Sequence, residues 1–191
     1  MEKIKMGFFG GCFNPPSNIH INLAKELVET KLLNSVTFVP VGDYYKKKNL
    51  VEAKHRYNML LEACKEWDYL RVEDIAVKSK ENLYAVDTFE LIYDKYDREN
   101  IEIYLIMGSD NFKNMTNWKA YDEIISKYRY IVIERPNYVQ QINSKNIIYY
   151  ELNQKEDFSS TRIRHLLKKG EDTSLYLNKK VLEYIQYNKL Y

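Results

Sequence analysis

The chain has 191 residues, which is enough for one α/β domain with a substantial core and short for two. A hydrophobic fraction of 45% and an aromatic fraction of 14% exclude a disordered chain, because so much apolar surface favours burial. The 29 basic and 27 acidic residues nearly balance at a net charge of +2, which excludes the plain basic excess expected of a nucleic-acid-binding protein.

The first unit of the chain is predicted to be a buried strand, a glycine turn, a proline-containing loop and a helix. The apolar run over residues 4–9 ends at Gly10-Gly11, as in a central strand of a parallel sheet. Glycine lets backbone N–H groups approach a ligand that a Cβ atom would keep away. The helix is predicted to begin near Ser17 or Asn18, so that its first turn contains His20. A first-turn histidine beside a glycine turn has the geometry of a phosphate site.

The rest of the chain alternates between apolar runs and helical patterns. Strands are predicted at 35–41, 70–73, 101–107, 130–133 and 147–150, and helices from about 51, over 86–96, over 118–125, and twice after 159. This alternation predicts an α/β fold with a doubly wound parallel sheet. We expect residues 1–191 to form a single domain, with 159–191 as a C-terminal helical part. Right-handed crossovers would place the site loops at the C-terminal edge of the sheet.

Residues 11–20, Gly-Cys-Phe-Asn-Pro-Pro-Ser-Asn-Ile-His, resemble the HxGH-type signature of nucleotidyltransferases. The closest version is that of nicotinamide and nicotinate mononucleotide adenylyltransferases, in which Thr commonly replaces the first His. In this chain Ser17 occupies that position, and Ile19 replaces the Gly that precedes the last His of the signature. The essential second His is present as His20. The resemblance implies a Rossmann-like nucleotidyltransferase fold. It also implies an ATP-binding set that includes Gly10, Gly11, Cys12, Phe13, Ser17 and His20.

A second motif, Ser-Ser-Thr-Arg-Ile-Arg, occupies residues 159–164. Its serines are good helix caps, the free N–H groups of the first turn face an anion, and an arginine fork fits phosphate oxygens. Alone, such a run is most simply a capped surface helix. After the first motif and in this order, it resembles the SSTxxR motif that completes the ATP site of the same family. The resemblance implies that Ser160, Thr161 and Arg164 lie in the triphosphate site.

The run Pro-Val-Gly-Asp-Tyr-Tyr-Lys-Lys-Lys over residues 40–48 contains a lysine triplet. Such a triplet is usually a solvated loop tip. With His55-Arg56 downstream, however, the run resembles the corresponding one in eukaryotic-type mononucleotide adenylyltransferases. The resemblance implies that Lys47 contacts the mononucleotide phosphate and that Cys12, Phe13 and Arg56 belong to the same acceptor site. Which of the three lysines faces the site stays open.

Gly108 and Asp110 follow the most apolar predicted strand. They suit an ordinary strand-to-helix turn with Asp110 as the cap, but the resemblance implies that they meet the ATP ribose. Trp118 lies at helical spacing from Tyr121, which is typical of a core residue. In the family, an aromatic residue in this region stacks on the pyridine ring of the acceptor, so both interpretations stay open. The segment 84–88 also resembles a family segment, with Ala where the family has Thr.

The resemblance implies adenylyl transfer in NAD biosynthesis. The 5′-phosphate of nicotinate or nicotinamide mononucleotide would attack the α-phosphorus of ATP, and pyrophosphate would leave. The attacking phosphate is already ionised, so no general base is needed, and His20, Lys47 and Arg164 would act by positioning and charge neutralisation. Mg²⁺ bound to ATP is the expected cofactor, and no spacing of His, Cys or carboxylate residues indicates a metal site in the protein itself.

Two alternatives stay open. The same chemistry could serve another phosphorylated acceptor, or the bulk of Ile19 could close the site and leave a non-catalytic nucleotide-binding regulator. The expected partners are ATP and a pyridine mononucleotide, with no nucleic acid or membrane and with a possible homo-oligomer. Cys12 and Cys64 form no disulfide framework, and without a signal peptide a cytoplasmic location is expected. The choice between nicotinate and nicotinamide is left undecided by the sequence.

Overall fold

One parallel sheet organises the chain, in a computed structural model that describes residues 2–83, 85–96, 99–118, 121–134, 142–152 and 159–191. Its strands are β1 (Ile4–Gly11), β2 (Ser35–Pro40), β3 (Leu70–Val72), β4 (Ile101–Gly108), β5 (Arg129–Glu134) and β6 (Ile147–Glu151). The helices are α1 (Asn18–Glu29), α2 (Ala53–Cys64), α3 (Ile75–Lys78), α4 (Ala85–Lys95), α5 (Ser109–Asn114), α6 (Tyr121–Lys127), α7 (Ser160–Lys169) and α8 (Lys179–Tyr187). A 3₁₀ turn, Met115–Asn117, follows α5. No helix in the described ranges is both long enough and apolar enough to cross a bilayer.

The strand order is β3-β2-β1-β4-β5-β6, and every neighbouring pair is parallel. β1 lies at the centre, where Phe8 is in register with Thr37 of β2 and with Leu105 of β4. The chain winds outward from β1 to β3 and then returns to the centre at β4. The direction of winding therefore reverses between β1 and β4, which opens a crevice at the carboxyl ends of these strands. The predicted doubly wound parallel sheet is confirmed.

Helices cover both faces of the sheet, because alternate residues of each central strand point to opposite sides. Phe9 of β1 and Ile106 of β4 belong to one core, whereas Phe8 and Leu105 belong to the other. The first core also takes buried side chains from α1, α2, α7 and α8, including Leu27, Met59, Leu60, Ile163, Val181 and Ile185. The second takes Phe89, Ile92, Phe112 and Ile124 from α4, α5 and α6. Packed helices therefore support the sheet on both faces.

The structure differs from the sequence prediction at two short helices. The predicted loop after β3 contains α3, and the turn after β4 is itself the start of α5, with Gly108 as N-cap and Asp110 inside the first turn. Trp118 lies outside any helix, in an extended conformation after the 3₁₀ turn, and α6 begins at Tyr121. Helices of four to six residues contain fewer than two full turns, so they leave too little periodicity to be recognised.

Gly42 lies where α3 meets the loop after β2. A Cβ atom on Gly42 would lie 2.2 Å from the carbonyl oxygen of Ala76, so the backbone would have to move. We expect Gly42→Ala to lower the free energy of unfolding by about 1–3 kcal/mol, or the melting temperature by about 2–4 °C per kcal/mol. A Cβ atom on Gly10 would meet nothing within 4 Å, so Gly10→Ala is the matched control for stability. Equal melting temperatures for the two variants would contradict this packing.

Candidate active site

A cleft of about 1320 Å³ opens at the carboxyl ends of β1 and β4. All but one of the site residues that the sequence predicts line its wall, and Arg56 is the exception. The lining set comprises Gly10, Gly11, Cys12, Phe13, Ser17, His20, Lys47, Gly108, Asp110, Trp118, Ser160, Thr161 and Arg164. Residues that are up to 154 positions apart in the chain, from Gly10 to Arg164, thus meet at one edge of the sheet.

Residues 11–17, which we call the signature loop, are fixed through their carbonyl oxygens. The Cys12 carbonyl accepts a hydrogen bond from Arg56 Nη1 of α2 at 3.0 Å. The Asn14 carbonyl accepts one from Arg164 Nη1 of α7 at 2.8 Å. These bonds flank Phe13, whose φ of 45° lies in the left-handed region and costs roughly 1–2 kcal/mol for a residue with a Cβ atom. Contacts from two distant helices therefore hold the loop in a conformation that it would not adopt alone.

His20 is the third residue of α1, and its imidazole is oriented by Ser17. Nδ1 accepts the Ser17 backbone N–H at 3.0 Å and lies 2.7 Å from the Ser17 hydroxyl oxygen. A ring nitrogen that accepts an N–H carries no proton, so the neutral imidazole holds its proton on Nε2. The Phe13 ring packs edge-on against the imidazole with centroids 5.2 Å apart. His20 therefore brings a fixed Nε2–H donor to the wall of the cleft.

Ser17 and Ile19 are the two positions at which residues 11–20 differ from the family signature. Ser17 is only 2% exposed, and its hydroxyl lies against His20. The hydroxyl therefore helps to orient the imidazole, and because Ser17 also lines the cleft, the ATP contact that the resemblance implies stays a prediction. Ile19 lies in the wall of the cleft without filling it. The argument for a closed, non-catalytic site therefore loses its structural basis.

Arg56 does not reach the cleft, which corrects its predicted place in the acceptor site. Its side chain is fully buried, and besides Cys12 it donates to the carbonyl oxygens of Val51 and Val41, each at 2.7 Å. Burial lowers the pKa of the guanidinium, and the Asp43 carboxylate, 3.9 Å away, opposes this effect. The fork therefore joins the signature loop to both ends of the loop that connects β2 with α2. The signal was present in the sequence, since an arginine within an apolar helical stripe is buried only when it is paired.

Among the three lysines that line the cleft, Lys47 contacts the signature loop. Its Nζ lies 3.6 Å from Cys12 Sγ. The chain just beyond is held by the Asn14 side chain, which donates to the Asn49 carbonyl at 2.8 Å and accepts the Val51 N–H at 3.2 Å. The loop that carries the lysines is thus joined to the loop that carries the histidine.

The N-terminus of α7 faces the same cleft. Ser159 caps the helix by accepting the Arg162 N–H, and the Ser160 hydroxyl donates to the Pro15 carbonyl at 3.1 Å. Arg164 Nη2 donates to the Thr161 hydroxyl at 3.1 Å while its Nη1 holds the signature loop. A helix N-terminus and a braced guanidinium together form a positive wall that can bind phosphate groups.

The opposite wall follows β4. Gly108 ends the strand beside β5, Asp110 lies in the first turn of α5, and Trp118 is half-buried at the cleft. Tyr84 and Lys119, which belong to the segments compared with the family, lie outside the described residues. Sequence reasoning did not single out Asn14, although it is 5% exposed and joins the signature loop to residues 49 and 51. An asparagine in a proline-containing loop has no distinctive local signal.

The crevice at the reversal of strand winding, with a positive helix terminus on one side, defines a nucleotide-binding α/β protein. A model of the cytidylyltransferase-like family matches residues 8–166. A probable nicotinate-nucleotide adenylyltransferase of Clostridium tetani is 32% identical over 98% of both chains. One from Fusobacterium nucleatum is 30% identical over 96% of this chain and 97% of its own. The chain belongs to the cytidylyltransferase-like family and, within it, to the nicotinate-nucleotide adenylyltransferases, which are nucleotidyltransferase enzymes.

The fold agrees with solved structures. A nicotinic acid mononucleotide adenylyltransferase of Plasmodium falciparum complexed with NaAD superposes with a TM-score of 0.79 at 19% identity, over 97% of this chain and 96% of its own. The same protein complexed with APC gives a TM-score of 0.78. At this identity the likeness shows the fold alone. The family resemblance inferred from residues 11–20 and 159–164 is confirmed by the sequence relatives.

We expect Arg56→Lys to destabilise the protein by roughly 2–3 kcal/mol, because a lysine ammonium cannot serve three carbonyl groups in a fork geometry. The melting temperature should fall by about 4–12 °C. Arg71→Lys, at an exposed position of β3, is the matched control and should melt like the parent protein. Equal melting temperatures for the two variants would show that the buried fork is dispensable.

Proposed function

We propose that this enzyme transfers the AMP part of ATP to nicotinate mononucleotide and releases pyrophosphate. The observation that carries the proposal is the fixed Nε2–H of His20, at a cleft whose other wall is the N-terminus of α7 with Arg164. Relatives named for nicotinate-nucleotide adenylyl transfer match over nearly the whole chain, which supports the choice of acceptor. The P. falciparum protein complexed with NaAD adds support from the fold.

In the proposed reaction, an oxygen of the acceptor phosphate forms a bond to the α-phosphorus of ATP. The bond from that phosphorus to the bridging oxygen breaks on the opposite side, and pyrophosphate takes the electron pair. The attacking phosphate is ionised at neutral pH, so the residues need only to position and to neutralise charge. His20 donates from Nε2 to an α-phosphate oxygen as negative charge develops there.

ATP is assigned to both walls of the cleft. The triphosphate lies against Ser160, Thr161 and Arg164, where the helix terminus and the guanidinium offset its charge. The ATP ribose lies against Gly108 and Asp110, since a carboxylate can accept hydrogen bonds from ribose hydroxyls.

The acceptor is assigned the space between the loop that carries the lysines at 46–48 and Trp118, which follows the 3₁₀ turn. Its phosphate is bound by Lys47, whose ammonium group already lies beside Cys12. Its pyridine ring stacks on Trp118, which is half-buried at the cleft wall. Two anionic substrates can approach each other only if cations such as these offset their repulsion.

Magnesium fits this site as an ion that arrives with ATP. The described part of the chain holds no group of three His, Cys, Asp or Glu residues placed to bind a metal ion. The triphosphate wall offers hydroxyl and guanidinium donors rather than carboxylates. Mg²⁺ is bound mainly by phosphate oxygens and water in such sites, and it would supply further neutralisation of the leaving pyrophosphate.

The test is pyrophosphate release from ATP and Mg²⁺ with nicotinate mononucleotide or nicotinamide mononucleotide as acceptor. We expect turnover, with the higher kcat/KM for the nicotinate form. In His20→Ala the rate should fall about a hundredfold, the usual loss of roughly 3 kcal/mol for one donor to developing charge. His165→Ala, an exposed position on α7, is the matched control and should keep the parent rate.

Three results would count against the proposal. Full turnover in His20→Ala would remove the assigned role of the imidazole. A higher kcat/KM with nicotinamide mononucleotide would reverse the acceptor choice. Absence of turnover with both acceptors, in protein that binds ATP, would favour a different phosphorylated acceptor or a nucleotide-binding regulator.

A further inference from the structure

The Tyr191 side chain contacts the signature loop at Asn14 and is not among the residues that line the cleft. Its hydroxyl donates a hydrogen bond to Asn14 Oδ1 at 2.7 Å, and its ring packs against the core formed with α1, α2, α7 and α8. Burial raises the pKa of the phenol, so the group keeps its proton at neutral pH and acts as a donor. Arg164 and Arg56 are both close enough to interact electrostatically with it.

The turn after α8 directs Tyr191 to this place. Leu190 N–H bonds back to the Ile185 carbonyl at 3.0 Å, and Lys189 adopts a left-handed φ of 51°, so the chain reverses. α8 itself is anchored on α2, where the Tyr184 hydroxyl accepts the Asn58 side-chain N–H at 3.0 Å. The contact between α8 and α2 and the turn after α8 therefore position the Tyr191 phenol against the signature loop.

Asn14 connects Tyr191 with Arg164, the arginine to which the triphosphate is assigned. The side chain of Asn14 meets Tyr191 and the loop at residues 49–51, while its backbone carbonyl accepts Arg164 Nη1 at 2.8 Å. A shift of the Asn14 backbone would therefore move the carbonyl oxygen that Arg164 Nη1 contacts, and the side-chain bonds of Asn14 oppose such a shift. The same residue adjoins Phe13, whose left-handed backbone conformation must be held from outside.

We propose that Tyr191 is a positioning residue for nucleotidyl transfer, which holds Asn14 so that the signature loop and Arg164 keep their reactive placement. The proposal rests on the proposed function, because it assigns Arg164 to the triphosphate. It adds a residue outside both sequence motifs, 27 positions beyond Arg164, which touches neither substrate.

The first test compares Tyr191→Phe with Tyr187→Phe, a matched control whose side chain is 88% exposed. Tyr191→Phe removes one oxygen and keeps the packed ring. We expect kcat/KM for ATP to fall about threefold to tenfold, the range for one hydrogen bond, while the melting temperature stays within about 4 °C of the parent. Tyr187→Phe should match the parent. Parent-like kcat/KM in Tyr191→Phe would overturn the proposal.

A double-mutant cycle separates positioning from a merely structural role. In an Arg164→Ala background, Tyr191→Phe should cause little further loss, because the constraint runs through Asn14 to the missing guanidinium. A structural role would reduce activity by the same factor in both backgrounds. Fully additive losses would therefore overturn the proposal.

Hydrogen exchange of the amides of residues 11–18 tests the same contact without turnover. The Ser17 amide, which bonds to His20 Nδ1, should exchange faster in Tyr191→Phe than in Tyr187→Phe. Equal exchange in the two variants would overturn the proposal. If the parent protein transfers AMP to neither mononucleotide, the proposed function fails, and this exchange comparison alone decides whether Tyr191 positions the loop.

Discussion

The site depends on the hydrogen bonds that side chains of distant helices make to the carbonyl oxygens of the signature loop. Arg56 of α2 binds the Cys12 carbonyl, and Arg164 of α7 binds that of Asn14. Between them, Phe13 adopts a left-handed conformation that directs its ring against His20. Because the carbonyl groups are bound from outside, the loop is rigid before any substrate arrives, and preorganisation of this kind lowers the cost of reaching the transition state.

Arg56 and Arg164 both bind the signature loop, but they differ in burial and in role. Arg56 is wholly buried and donates three hydrogen bonds to backbone carbonyls, so its contribution is structural. Arg164 is half-exposed at the cleft and shares its donors between the loop and Thr161. Ser17 also orients a neighbouring group, since its N–H donates to Nδ1 of His20 and so selects the imidazole tautomer, while its hydroxyl lies beside the same nitrogen. A serine can therefore serve where the family signature more often has Thr or His.

Much of the fold follows from local patterns in the sequence. The apolar runs at β1 and β4 and the capping serine of α7 are read within a few residues, and the doubly wound sheet follows from their alternation. The cleft residues came from several segments that resemble a family, among them residues 11–20, 40–48 and 159–164. The contact between Asn14 and Tyr191 was not predicted, because 177 residues separate the two partners of this hydrogen bond and no local periodicity encodes such a contact. The apolar stripe of α2 indicates that Arg56 is buried, but its three carbonyl partners lie on loops outside that helix, so the stripe does not identify them.

His20 and Arg164 both line the cleft, and we propose that they receive the phosphates of ATP. A crystal structure with a non-hydrolysable ATP analogue tests it most directly. The account predicts His20 Nε2 within hydrogen-bond distance of an α-phosphate oxygen, with Nδ1 still bound to Ser17 and Arg164 still bound to the Asn14 carbonyl. A triphosphate bound outside the crevice between β1 and β4, or an imidazole turned away from Ser17, would contradict it.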